Sequence, residues 1–291
     1  MNYASKILAY LGEGNRFSQV LLVAGAPPVE KAGTEFKIII NAVFTADDIR
    51  DTLAFFASNV RRSGSADLGN HGVFAFGMAK LGRFKVHYLT QRGSVFVSIQ
   101  RMTDDIPELK NLLAQSEQML LVEAAVNQAG GGIVIFTSSA AEALSRLIYS
   151  TLDRINKTQS KVIYVLEQNL SYLLRHRNSV SIQVEVGTDV VSLSEGIQNG
   201  LFLAPDLVYV RDPKSSEEYA GLQCLAEAGA LVLISLTSIS EQHLVNDLKG
   251  RLRDDFQTLS RRIQKIIKVS VAPSGMLSVK DASGILLESA Q

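Results

Sequence analysis

Tryptophan is absent from this chain, cysteine occurs once, histidine four times, and the net charge is zero; each shortage excludes a class of chemistry. The lone thiol, Cys224, cannot form an internal disulfide, which fits a reducing compartment and makes the cytoplasm the expected location. His71, His87, His176 and His243 lack metal-ligand spacing and Cys224 has no cysteine or histidine in a zinc or redox arrangement, so no metal is expected. With 29 basic residues against 29 acidic ones, no overall field draws the chain to nucleic acid or an anionic surface. The basic clusters Arg61-Arg62 and Arg175-His176-Arg177 accordingly read as solvated helix ends or loops. Long apolar runs are missing as well: residues 230–236 have the length of a buried strand, and residues 1–14 read as a short amphipathic helix. Neither a signal peptide nor direct membrane insertion is expected.

What is present suggests two units, as a length of 291 residues allows. Residues 1–102 read as an α+β domain. Strands are expected at 19–23 and 36–40 around the Gly25-Ala26-Pro27-Pro28 turn, and at 73–78, 84–88 and 95–99 with antiparallel pairing. Between them, Thr45 with Asp48 three residues on opens a helix whose Ile49, Leu53, Phe56 and Val60 share one face. The polar stretch ending at Pro107 marks a boundary. Residues 103–291 then alternate strand and helix, the pattern of a mostly parallel sheet covered by helices. One long helix is expected at 241–266, before a closing hairpin around Pro273-Ser274-Gly275.

Within that second unit, residues 131–147 (GGIVIFTSSAAEALSRL) read as strand, loop and helix where a phosphate-binding loop belongs, without its chemistry. Such a loop needs glycines, so that backbone N–H groups close on phosphate oxygens, and a lysine to meet the β/γ charge. The serine at its end, Ser145, is the one hydroxyl retained.

Several strings, in order, carry a resemblance: LLVAGAPP at 21–28, QVEVGT at 183–188, APDLVYV at 204–210 and LAEAG at 225–229. Together they resemble the PilT-type secretion ATPases, the hexameric motors of type IV pili and type II secretion. The resemblance implies an α/β chain: an N-terminal α+β, PAS-like domain followed by a RecA-like, P-loop-type domain with a mostly parallel sheet. It places the degenerate nucleotide site at Thr137, Ser138, Leu144, Ser145, Glu167, Arg211 and Asp212. Leu144 stands where the lysine of the loop falls, and Ser138, Ala141 and Ala143 stand for small or glycine positions. Glu167 matches the first glutamate of an aspartate-rich box whose other acids become Gln168 and Ser171, and Arg211-Asp212 replaces a glycine and a glutamate. The family's histidine positions carry Ala230 and residues 235–239, none of them histidine. Arg92 resembles one inter-subunit arginine and the other falls on or beside Gln100 and Arg101, and the sequence is expected to stop short of the C-terminal helical region that full-length motors carry.

Two readings accompany several of these residues; Glu167 and Asp212, at or just beyond strand ends, read as functional groups or as inherited relics. Ser145 reads as a helix serine facing solvent or bonded to its own backbone, against a Mg²⁺ ligand; Arg211-Asp212 reads as a surface ion pair, against a protein cation filling the emptied site. Arg92 reads as a turn cation, against an arginine finger. The resemblance implies a pseudo-ATPase without significant hydrolysis, with ATP and Mg²⁺ binding lost or very weak. Its expected partners are the motor ATPase or platform proteins of a pilus or secretion machine, with homo-oligomerisation compatible, no nucleic acid, and attachment to the inner membrane only through those partners. The alternatives are a divergent ATPase that draws its cations from a neighbour or from Arg211, and a binding module for another small ligand in the remodelled cleft.

Overall fold

The computed structural model describes residues 3–13, 19–32, 35–60, 69–79, 81–102, 105–127 and 131–285; Arg61-Arg62 lies outside them. The chain divides into two compact units, Met1–Thr103 and Asp104–Gln291, each with its own core.

In the first unit, α1 (Tyr3–Glu13) and α2 (Ala46–Ser58) share an apolar core with a six-stranded antiparallel sheet. Its strands are β1 (Gln19–Leu22), β2 (Val29–Ala32), β3 (Glu35–Ile38), β4 (His71–Met78), β5 (Gly82–Gln91) and β6 (Ser94–Met102), in the order β3-β2-β1-β6-β5-β4. Ile49, Leu53 and Phe56 of α2 are buried with Val20, Leu22, Phe84, Val86, Val97 and Ile99, so helix and strand periodicities converge on one layer. Thr45 and Asp48 form the expected capping box. Arg92 and Gly93 both take positive φ, 50° and 77°, as a tight two-residue hairpin turn requires. Strand β2 has no counterpart in the sequence reading, because Val-Glu-Lys-Ala after two prolines shows little β-branched character.

The second unit is a seven-stranded sheet in the order β13-β12-β7-β11-β10-β8-β9. Its strands are β7 (Gly132–Ser138), β8 (Val162–Glu167), β9 (Val180–Glu185), β10 (Leu207–Arg211), β11 (Leu231–Thr237), β12 (Ile263–Val271) and β13 (Leu277–Asp281), all parallel except β13. Strands β7, β10 and β11 are apolar almost throughout, as strands covered on both faces must be. The helices are α3 (Leu109–Leu112), α4 (Ser116–Val126), α5 (Ala141–Thr158), α6 (Leu193–Leu203), α7 (Ser216–Glu227), α8 (Glu241–Leu252) and α9 (Phe256–Ser260).

The long helix expected at 241–266 is corrected here. α8 stops at Leu252, a 3₁₀ turn spans Arg253–Asp255, and α9 is short. Arg253 has φ 48° and ψ −116°, which ends the helical hydrogen-bond ladder. Residues 263–266 instead open β12, where Ile263, Ile266 and Ile267 pair with β7. Tertiary pairing in the sheet overrides a helix-compatible apolar spacing.

Candidate functional site

Parallel strands of an α/β sheet end together, and polar residues at those ends share one crevice. Glu167 closes β8, Arg211 closes β10, Ser235 lies near the end of β11 and Ser138 ends β7. α5 begins just beyond β7, bringing Ser145 and Tyr149 over the same strand ends.

Glu167 is fully buried, and every contact it makes satisfies a charged carboxylate. Tyr149 donates to it at 2.6 Å, Tyr209 at 3.2 Å, and the backbone N–H of Ser171 at 3.1 Å. Arg211 completes the shell: its Nη1 is 3.3 Å from the carboxylate, 3.1 Å from Ser145 Oγ and 3.0 Å from Ser171 Oγ. Ser145 and Ser171 hydroxyl oxygens are themselves 3.0 Å apart, and Tyr209 and Ser235 hydroxyls likewise 3.0 Å. A cation thus sits among two hydroxyls and a carboxylate, supplied by the protein itself. Burial, and then the neighbouring Glu167 charge, push the Tyr149 and Tyr209 hydroxyls well above the ordinary tyrosine value, so both stay protonated donors. Burial acts to lower the Arg211 guanidinium, but the surrounding Tyr209 and Glu167 groups outweigh it and hold it above its usual value.

Several residues with paired readings have defined surroundings. Ser145 is buried; it donates to the Ala141 carbonyl at 3.2 Å while receiving Arg211. Arg211 and Asp212 are not a surface pair with each other. Asp212, at φ 52°, turns the opposite way, into ion pairs with Lys214 and with Arg251 at 3.1 Å. Leu144 is buried in α5, and Thr137 is buried with no hydrogen-bond partner for its hydroxyl. Ser138 Oγ accepts the Ala140 N–H at 3.1 Å, tightening the turn into the helix. In the first unit, Arg92 is exposed at its hairpin tip, while Arg101 donates to the Gly12 carbonyl at 2.8 Å.

The connection from β7 to α5 consists of Ser139 and Ala140 alone, and neither has positive φ. Residues 141–145 open α5, with Glu142 exposed in its first turn. The Ala143 and Leu144 N–H groups bond to the Ala140 carbonyl. Those two main-chain donors are used within the helix, and a carboxylate, Glu142, stands at its positive end.

Tyr149 and Tyr209 have no place in the site read from sequence. A tyrosine inside an otherwise apolar strand or helix face is the available signal, because its hydroxyl must find a partner once buried.

No family model matches the chain. Among curated proteins it is similar to the type IV pilus ATPase PilU of Pseudomonas aeruginosa, 26% identical over 220 residues, covering 75% of this chain and 56% of PilU. It is also similar to the pilus retraction ATPase PilT of the same organism, 25% identical over 170 residues, covering 57% of this chain and 47% of PilT. The chain therefore spans about half the length of these curated relatives. Among solved structures, the pilus retraction motor PilT with bound ADP superposes with a TM-score of 0.82 at 22% identity, covering 100% of this chain and 87% of that one. The Legionella pneumophila ATPase DotB follows with a TM-score of 0.73 at 15% identity, covering 98% and 82%. In sequence the chain is a homologue of the PilU and PilT proteins of type IV pili, and its fold is that of PilT.

Proposed function

We propose that this chain is a pseudo-ATPase, a structural or regulatory component of a pilus or secretion motor that works without significant ATP hydrolysis. The observation that carries the reading is Arg211: its guanidinium already occupies the space among Ser145, Ser171 and Glu167.

The residues present do not fit Mg²⁺–ATP. A triphosphate needs a ring of free main-chain N–H groups and a mobile cation; here the connection is two residues long, Leu144 is buried and Glu142 faces the helix start. A charge-assisted hydrogen bond contributes about 1.5–3 kcal/mol, and about 1.4 kcal/mol is tenfold in affinity. Losing the lysine and the N–H cradle moves a micromolar site to millimolar or weaker. Phosphoryl transfer then loses the positioned Mg²⁺ and cationic stabilisation on which it depends. The divergent-ATPase alternative, with Arg211 as the substitute catalytic cation, is disfavoured because Nη1 is bound to a buried carboxylate on the protein side.

The test is a hydrolysis assay with Mg²⁺, comparing the chain with a Leu144→Asp control, alongside calorimetry with ATP. Turnover indistinguishable from the control and no saturable binding at micromolar nucleotide are expected; turnover well above the control overturns the reading. Affinity capture from native cells, scored for pilus and secretion components, tests the partner class.

A further inference from the structure

A second chemically distinct surface lies at the opposite end of the parallel sheet from Glu167, where β8 and β9 begin. Two loops are fastened together there: Asn178 and Ser179 N–H groups donate to the Asn156 carbonyl at 3.0 and 3.2 Å, and Val180 N–H to the Lys161 carbonyl at 2.9 Å. Ser179 Oγ donates to the Gln159 carbonyl at 2.6 Å, and Asn156 Nδ2 to the Arg175 carbonyl at 2.6 Å. Four cations gather here, Lys157 in the last turn of α5 and Lys161, Arg175 and Arg177 on the loops. Of the acids beside them, Asp153 is buried and paired with Lys157 at 2.5 Å and with Arg177 at 3.8 Å, Glu108, which also acts on Lys157, is paired with Lys110 at 2.7 Å, and the exposed Asp206 accepts the Val162 N–H at 2.7 Å. His176 accepts the Ser181 N–H through Nδ1. The outward balance is basic.

The last turn of α6 arrives at the same loops, tied by the Asp206 N–H to the Val162 carbonyl at 3.0 Å. It ends in Leu201, Phe202 and Leu203, all exposed; Phe202 is 90% exposed, and Val180 beside these loops 53%. Earlier on the solvent side of α6 stand Glu195, Gln198 and Asn199; within the helix itself large apolar exposure lies at the basic end, while Val191, just before the helix start, is 84% exposed. Ala204, at φ 45°, terminates the helix there, and a helix C-terminus is the favourable end for positive charge.

We propose that this surface docks on an anionic phospholipid bilayer, with Phe202, Leu201 and Leu203 entering the headgroup–acyl boundary and Lys157, Lys161, Arg175 and Arg177 lying at headgroup level. Charge complementarity selects the occupant, and the protrusion of Phe202 favours a lipid over a protein socket, since acyl chains surround a projecting ring without a preformed pocket. The contact is interfacial: among the described residues no helix is long and apolar enough to cross a membrane. It is independent of whether ATP is hydrolysed.

The test is sedimentation of the full chain with vesicles of phosphatidylcholine alone and of phosphatidylcholine mixed with phosphatidylglycerol, at low and high salt. Binding to the anionic vesicles alone, weakened by salt, is expected. Phe202→Ser, a surface change checked by circular dichroism, lowers partitioning about tenfold, and Lys161→Gln with Arg177→Gln lowers it about 25-fold, at roughly fivefold per basic residue. No binding to anionic vesicles, or equal binding by Phe202→Ser, overturns the proposal. So does concentration-dependent self-association or capture of an acidic protein segment that requires Phe202 while vesicles are ignored.

Discussion

A carboxylate removed entirely from water survives as an anion only when its neighbours supply what water did, and Glu167 has two tyrosine hydroxyls, the backbone N–H and hydroxyl of Ser171, and one cation to do so. Arg211→Ala leaves that charge with neutral donors alone and is expected to destabilise the second unit by about 2–3 kcal/mol, read from urea unfolding. Glu167→Gln with Arg211→Met removes both charges and recovers a large part of that loss; additive loss in the double variant would refute the pairing. The tyrosines predict a pH dependence. Tyr149 and Tyr209 have folded pKa values raised above the ordinary 10.0, by burial first and Glu167 second. A raised pKa contributes stability that is complete below that ordinary value and is lost as pH rises beyond it, because the unfolded chain then releases protons the folded one keeps. Alkaline titration followed by tyrosinate absorbance should therefore show these two ionising only together with unfolding.

At the scale of elements, local rules and tertiary forces divide the outcome. The capping box at Thr45 and Asp48 was legible because three-residue spacing alone brings hydroxyl and carboxylate to opposite orphan donors; Thr45→Ala is expected to cost about 1 kcal/mol in thermal unfolding of the first unit. The break at Arg253 was not legible, since nothing in Lys-Gly-Arg-Leu-Arg-Asp forbids continued helix. Its φ of 48° with ψ of −116° suits glycine far better than an L side chain. Arg253→Gly should therefore stabilise by up to about 1 kcal/mol, and a loss of stability would show that the arginine side chain contributes more than its backbone conformation costs. The two-residue connection before α5 belongs to the same category. Ser-Ala-Ala-Glu-Ala is helix-compatible, but that it became a helical turn depended on Ser138 capping Ala140 and on Leu144 and Ser145 finding buried places.

For the whole molecule, two separate apolar cores predict two separately foldable bodies. Fragments ending at Thr103 and beginning at Asp104 should each unfold cooperatively, by circular dichroism against denaturant; a fragment that remains molten would show that its core is incomplete alone. Strand and helix alternation after Pro107, the apolar strands β7, β8, β10 and β11 and the antiparallel hairpins were set by the residues themselves, because periodicity and burial act over a few positions. So was the absence of glycine and lysine from residues 137–145. Only the tertiary structure decided which side chains gather at those strand ends. Arg211 faces Glu167 and not its neighbour Asp212 because successive residues at a strand end point apart, and Tyr149, Ser171 and Tyr209 meet there from three distant segments. Sequence spacing carries no information about such a convergence; close packing of parallel strand ends beneath a helix does.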